Sequence, residues 1–179
     1  MPVSVCSPDA HKEEGDFDDK NSGLRACSSP ACASATAPSI SQMRITPQEI
    51  VTGDQGDSQI GSSKLAGVHS KILAGNPSSV GFYSILLFVP AHTTIQAHSH
   101  RDDRMATVVS GKWQFGYGTH FDESALKPLP AGSVYSEPGG MNHFARTTDS
   151  SVVVHISGYG PTDTRYFNPA DDPESSHKN

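Results

Sequence analysis

The chain is poor in cysteine, in basic clusters and in long apolar runs, and each shortage removes a class of function. Only three of its 179 residues are cysteines, Cys6, Cys27 and Cys32, all within the first 32 positions. The rest of the chain has no thiolate for a disulfide framework or a metal, so a metal site there must use histidine and carboxylate. Lys and Arg number 13 against 19 Asp and Glu, a formal charge of 13 − 19 = −6. With no basic cluster, this balance argues against nucleic acid or an anionic membrane as partner and leaves small molecules and proteins. The longest apolar stretch, Ile85 to Ala91, is about a third of the ~20 residues that cross a bilayer. The first thirty residues hold no secretory apolar core, and their acidity is unlike an Arg-rich transit peptide. The chain reads as soluble and cytoplasmic.

Helical periodicity is scarce too. Hydrophobic content is only 35%, because the ends dilute the average. Residues 1–42 join an acidic patch (Glu13, Glu14, Asp16, Asp18, Asp19) to a Ser/Ala/Pro run from Ser28 to Ser41. This stretch shows neither period 3.6 nor period 2, the mark of a disordered tail. Residues 169–179 return to polar and charged types and read as a second tail. At Thr46-Pro47-Gln48-Glu49 a capping residue, a proline at the first helical position and a glutamate three after the cap predict one helical turn.

What is plentiful is the short apolar run. From Val68 onward there are eight: Val68–Leu73, Val80–Val89, Thr94–His100, Met105–Val109, Trp113–Tyr117, Ser133–Ser136, Asn142–Thr147 and Val152–Ser157. Gly and Pro punctuate them at a spacing of about 8–12 residues, typical of sandwiches and barrels. Eight strands without crossover helices predict an all-β domain over residues 43–168, an antiparallel sheet closed as a jelly roll or small barrel. The run Val80–Val89 is almost continuously apolar and permits a homodimer contact without proving one.

Six of the nine histidines, His92, His98, His100, His120, His143 and His155, fall between positions 92 and 155. His98 and His100 are two apart in a predicted strand, so both rings point to one face and can share an ion. By the same parity Gln96 lines that face. A lone His-x-His also suits a solvated strand; the second element, Pro138-Gly139-Gly140-Met141-Asn142-His143, adds the weight, because its glycine turn aims His143 at the start of a new strand. Trp113, Phe115 and Tyr117 alternate and put three aromatic groups on one side of the sheet, as core or as a substrate wall.

These offsets resemble the two motifs of the cupin superfamily, G-x5-H-x-H-x3-E-x6-G and G-x5-P-x-G-x2-H-x3-N. The second matches from Gly132 through His143, and the first at His98, His100 and Gly111. The resemblance implies a cupin-type jelly roll, a conical β-barrel, with His98, His100 and His143 binding one divalent metal, Fe(II) favoured and Mn(II), Ni(II) or Zn(II) the alternatives. Three positions depart from the pattern: Arg104 stands where the liganding Glu belongs, His92 where a Gly belongs and Thr147 where the Asn belongs.

Without the carboxylate, three neutral imidazoles and a dication leave a local charge of about +2, and an inward Arg104 makes it about +3, a pocket for an enolate, phenolate or carboxylate. Arg104 is therefore expected as a catalytic anion anchor, or as the partner of Glu137, Asp102 or Asp103, one of which could instead supply a displaced metal ligand. His92 and His155 are expected as acid–base groups or as rim and core histidines, and His120 as loop surface. In layout the chain is similar to small cupin oxidoreductases, including those of fungal polyketide and salicylaldehyde-type biosynthesis. This implies a dioxygenase-like oxidation of a small oxygenated molecule. The rivals are a Mn(II) or Zn(II) lyase or isomerase with His155 or His92 as base, and a non-catalytic module that senses a metal or small ligand.

Overall fold

The apolar runs and the breaks between them become ten β-strands in a computed structural model of the chain, which describes residues 40–52 and 58–175. Helix α1 (Pro47–Thr52) precedes them. Its capping box closes as the sequence predicts: the Thr46 N–H and hydroxyl donate to Glu49 Oε2 at 2.7 Å, and the Glu49 N–H donates back to Thr46 Oγ1 at 3.3 Å. Of the two expected tails, residues 1–39 and 176–179 lie outside the described residues. Residues 169–175 are not loose: a 3-10 turn spans Pro169–Asp171, and Glu174 accepts a 2.6 Å hydrogen bond from Lys64 Nζ.

The strands are β1 (His69–Gly75), β2 (Gly81–Val89), β3 (Thr94–Ser99), β4 (Arg104–Ser110), β5 (Lys112–Tyr117), β6 (Lys127–Pro130), β7 (Val134–Glu137), β8 (His143–Arg146), β9 (Val152–Gly160) and β10 (Arg165–Tyr166). Eight correspond to the predicted runs. The additional two, β6 and β10, are edge strands that the sequence hides, β6 because two of its four residues are proline and β10 because it is two residues long. Pairing is nested and antiparallel: β5 with β6, β4 with β7, β3 with β8 and β2 with β9. One long ribbon thus doubles back between β5 and β6. Rolling it up adds the ladders β4–β9 and β5–β8 and divides it into two five-stranded sheets, β1-β2-β9-β4-β7 and β10-β3-β8-β5-β6. This is a jelly roll.

Strand alternation places the core between the sheets. Ile85 and Leu87 of β2, Val108 of β4 and Val154 and Ile156 of β9 meet Ile95, Trp113, Phe115 and Ala145 from the opposite side. The outer face of the first sheet keeps Phe82, Met105 and Tyr159 exposed along a groove of about 460 Å³. No helix among the described residues is long and apolar enough to cross a membrane.

The turns explain the glycines. Gly111 and Gly132 have φ of +80° and +88°, and a Cβ on Gly111 would lie 2.4 Å from the Ser151 carbonyl oxygen. His92 holds the same left-handed backbone, φ +57°, in the β2–β3 turn, so the glycine missing from that motif position leaves strain behind. Relief of about 1–2 kcal/mol, set against the about 0.5–1 kcal/mol of chain entropy that glycine loses on folding, favours His92→Gly. Thermal melts of that variant should show a gain of about 0.5 kcal/mol; a loss would mean that the His92 side chain makes a contact worth more than the strain. Thr147, in the motif's Asn position, is buried and ties the same turn down: its hydroxyl donates to the Pro90 carbonyl at 2.6 Å and accepts from the Thr93 N–H at 2.9 Å.

Candidate metal centre

The ribbon's nesting brings two cross-strand pairs to one end of the barrel. On the β3–β8 ladder His98 is the register partner of His143, and on the β4–β7 ladder Arg104 is the partner of Glu137. His100, one residue beyond β3, completes the group. One ring nitrogen from each of His98, His100 and His143 lies within 4.8 Å of the others, and all three side chains are buried. A strand, a glycine turn and a second strand thus converge as the spacing predicted.

Backbone carbonyls fix the tautomers. Nδ1 of His98 faces the Gln96 oxygen at 2.8 Å, Nδ1 of His100 the Asp163 oxygen at 2.5 Å and Nδ1 of His143 the Met141 oxygen at 3.3 Å. A carbonyl only accepts, so each Nδ1 carries the proton and each Nε2 lone pair is free to turn inward. Burial drives the imidazole pKa down to about 3 for His98, with the neighbouring His143 adding to it, and to about 3 for His143, with Arg104 adding to it. Burial also takes His100 well below the usual range, helped by Arg104. The His100 Nε2 atom is buried without a hydrogen-bond partner. Three neutral nitrogen donors, oriented from behind and aimed at a shared centre, fit a divalent metal.

Arg104 does not reach out as an anion anchor. Its Nε and Nη2 both bind Glu137 Oε2, at 2.6 and 2.5 Å, and Nη1 donates to the Gly61 carbonyl at 3.2 Å. Burial pulls this guanidinium's pKa down, but Glu137 and the nearby Tyr83 outweigh it and the net shift is upward. The structural pairing is the one realised among the alternatives, and Glu137 offsets the charge that Arg104 was expected to add. Asp102 and Asp103 are engaged elsewhere: Asp102 accepts from the Tyr83 hydroxyl at 2.6 Å, and Asp103 accepts from the Gly139 N–H at 2.7 Å, which braces the turn before His143.

Two expected acid–base groups are off the site. His92 is exposed in its turn. His155 faces outward from β9, because Val154 and Ile156 on either side of it point into the core, and its Nε2 meets Ser84 Oγ at 2.7 Å. Gln96 also misses the cavity. A bulge between Ile95 and His98 shifts the β3 register by one residue, so Ile95, not Gln96, lines the site. Of the aromatic trio, Trp113 and Phe115 line it, with Phe115 stacked on His143 at 5.3 Å between centroids, while Tyr117 is exposed.

The segment Gly61–Ser63 covers the histidines, with no sequence periodicity to announce it. It is buried and held by Thr164 Oγ1 on the Ser62 carbonyl at 2.8 Å, by the Tyr166 hydroxyl on the Ser63 carbonyl at 2.5 Å and by Arg104 on Gly61. Tyr166 also lies against His98, 5.6 Å between centroids. Beneath this cover the cavity measures about 20 Å³, room for an ion and about one water.

No family model matches this chain, and no curated protein matches it. Solved structures do. The polyketide cyclase RemF from Streptomyces resistomycificus superposes with a TM-score of 0.57 at 13% identity, covering 78% of this chain and 94% of its own. An RmlC-like cupin from Shewanella frigidimarina superposes at 0.47 with 16% identity, over 67% of this chain and 92% of its own. KdgF from Halomonas sp. gives 0.44 and 19%, over 54% and 84%. With the nested ribbon, the left-handed motif glycines and the histidines at the barrel end, the chain has the cupin fold, as one barrel that carries a three-histidine site.

Proposed function

We propose that the protein is a metal-dependent cupin oxidoreductase acting on a small oxygenated organic molecule. The observation that carries this reading is the convergence of three neutral, carbonyl-anchored imidazoles in a buried cavity that Leu87, Ile95, Trp113 and Phe115 help to wall. Nε2 of His98, His100 and His143 would hold the ion, and the Nδ1–H bonds to backbone oxygens keep the rings from turning away. Phe115, Trp113, Ile95 and Leu87 keep bulk water off the histidine face. Fe(II), if held there, would supply the redox chemistry for oxidation. With His92 and His155 away from the cavity, the lyase or isomerase reading loses both bases it relied on, which favours redox chemistry. Substrate entry requires the Gly61–Ser63 segment to move, since the covered cavity is too small for an organic molecule.

A second reading, a non-catalytic metal-sensing module, is favoured by that same small cavity. Elemental analysis of protein purified without added metal, followed by oxygen uptake in the presence of enolisable and phenolic compounds, separates the two. Iron at one per chain with substrate-dependent oxygen uptake supports the oxidoreductase; stoichiometric metal without turnover supports the sensor. His143→Ala should lose most of its metal, by about 100-fold or more in affinity, along with activity. Full metal retention in that variant would contradict the ligand assignment under either reading.

A further inference from the structure

The three histidines are not the only acceptors aimed at the cavity. Glu137 Oε2 lies 3.6 Å from His100 Nε2 and 3.9 Å from His143 Nε2. Both nitrogens carry lone pairs, since their Nδ1 atoms hold the ring protons, so these are approaches of acceptor to acceptor with no proton between them. They are also too long for hydrogen bonds. Arg104 donates to Oε2 through Nε and Nη2, and the Tyr135 hydroxyl also interacts with the Glu137 carboxylate. A buried carboxylate oxygen pointed at two imidazole lone pairs is an unfavourable arrangement unless a cation joins them.

We propose that Glu137 is the fourth ligand of the metal bound by His98, His100 and His143, with Arg104 as the positioning residue that aims it. This rests on the three-histidine reading and deepens it. Glu137 ends β7 and Arg104 opens β4 as register partners, so the ladder itself delivers the guanidinium to the carboxylate. Two short charge-assisted bonds to a single oxygen leave the carboxylate little freedom to rotate away. Neither Asp102 nor Asp103 competes, because Tyr83 and the Gly139 N–H hold them. One oxygen added to three nitrogens gives a harder donor set than imidazole alone and favours Fe(II) or Mn(II), with two sites left open in a six-coordinate ion.

Cobalt(II) titration of the full-length protein, read by its d–d absorption and by competition with a chelator, tests this. Glu137→Gln alone would leave Arg104 buried without a counter-charge and Arg104→Gln alone does the same to Glu137, so the charge-neutral Arg104→Gln/Glu137→Gln is the main variant and Arg104→Gln is read beside it under conditions where circular dichroism shows it folded. The single variant keeps the carboxylate but loses the guanidinium that aims it, and should bind cobalt about 10-fold more weakly than the unaltered protein; the double variant should bind about 100-fold more weakly than the unaltered protein, with a changed spectrum. Wild-type affinity and spectrum in the double variant would overturn the assignment. A crystal structure of the zinc-loaded wild-type protein decides the matter without any variant: a Glu137 oxygen about 2.0–2.2 Å from the ion supports it, and an ion held by three imidazoles with that oxygen beyond about 3 Å overturns it. If the wild type takes up no metal, the three-histidine reading itself falls, an outcome distinct from the loss of Glu137 alone.

Discussion

Replacing Arg104 with leucine should destabilise the metal-free protein by about 3–5 kcal/mol, a loss expected when one member of a buried ion pair is removed and the other is left uncompensated. For a domain of this size that is a fall in melting temperature of about 10–15 °C. The expectation follows from burial on both sides: the Arg104 side chain is 2% exposed and that of Glu137 5%. With Arg104 gone, the buried Glu137 carboxylate loses both bonds to its guanidinium partner, and the Gly61 carbonyl loses its donor. The double replacement Arg104→Leu/Glu137→Leu should recover most of the loss, because taking out both charges together is often neutral or better. Thermal melts of the three proteins without metal check this. A single variant within about 1 kcal/mol of wild type would mean that water reaches the pair and screens it.

That ion pair marks the boundary of what the sequence discloses. The histidine constellation could be read from spacing, because a His-x-His in a strand and a glycine turn before a third histidine are local features, and the turn glycines carry the left-handed backbone their positions require. Arg104 and Glu137 were visible as partners only among several, since pairing depends on the β4–β7 register, which no local pattern encodes. Gln96 went astray for a related reason: parity holds along an unbroken strand, and one bulge reverses it. His155 is different. Val152, Val154 and Ile156 alternate with it in plain view, so its outward direction was legible from period 2 and the clustering of histidines obscured it. The Asp163 carbonyl that orients His100 and the Gly61–Ser63 cover have no sequence signal at all, because backbone oxygens and small polar residues look alike wherever they fall. The cover matters most for function, since it turns an open barrel mouth into a closed cavity.

The metal-free protein should also be unusually sensitive to acid. In an unfolded chain His98, His100 and His143 titrate near 6.5. In the fold, burial is the largest cause that keeps all three neutral, and His98 and His143 are lowered to about 3. Below pH 6.5 the unfolded state therefore binds more protons than the native state, and stability drops as pH falls toward the folded pKa. Three protons taken up on unfolding give a limiting slope of about 4 kcal/mol per pH unit, enough to consume a typical 5–15 kcal/mol within a few units. Urea unfolding at pH 7, 6, 5.5 and 5 should show the slope steepen toward three protons, and His143→Ala should lower it toward two. Metal uptake by the folded protein behaves oppositely. At pH 5 Nε2 of His98 and of His143 is still free of a proton, and burial lowers His100 as well, so affinity should fall little between pH 8 and 5, where a site of ordinary histidines would lose its metal. An unfolding slope that never exceeds one proton would mean that these rings are solvated and chargeable in the native state, and the buried donor set would have to be abandoned.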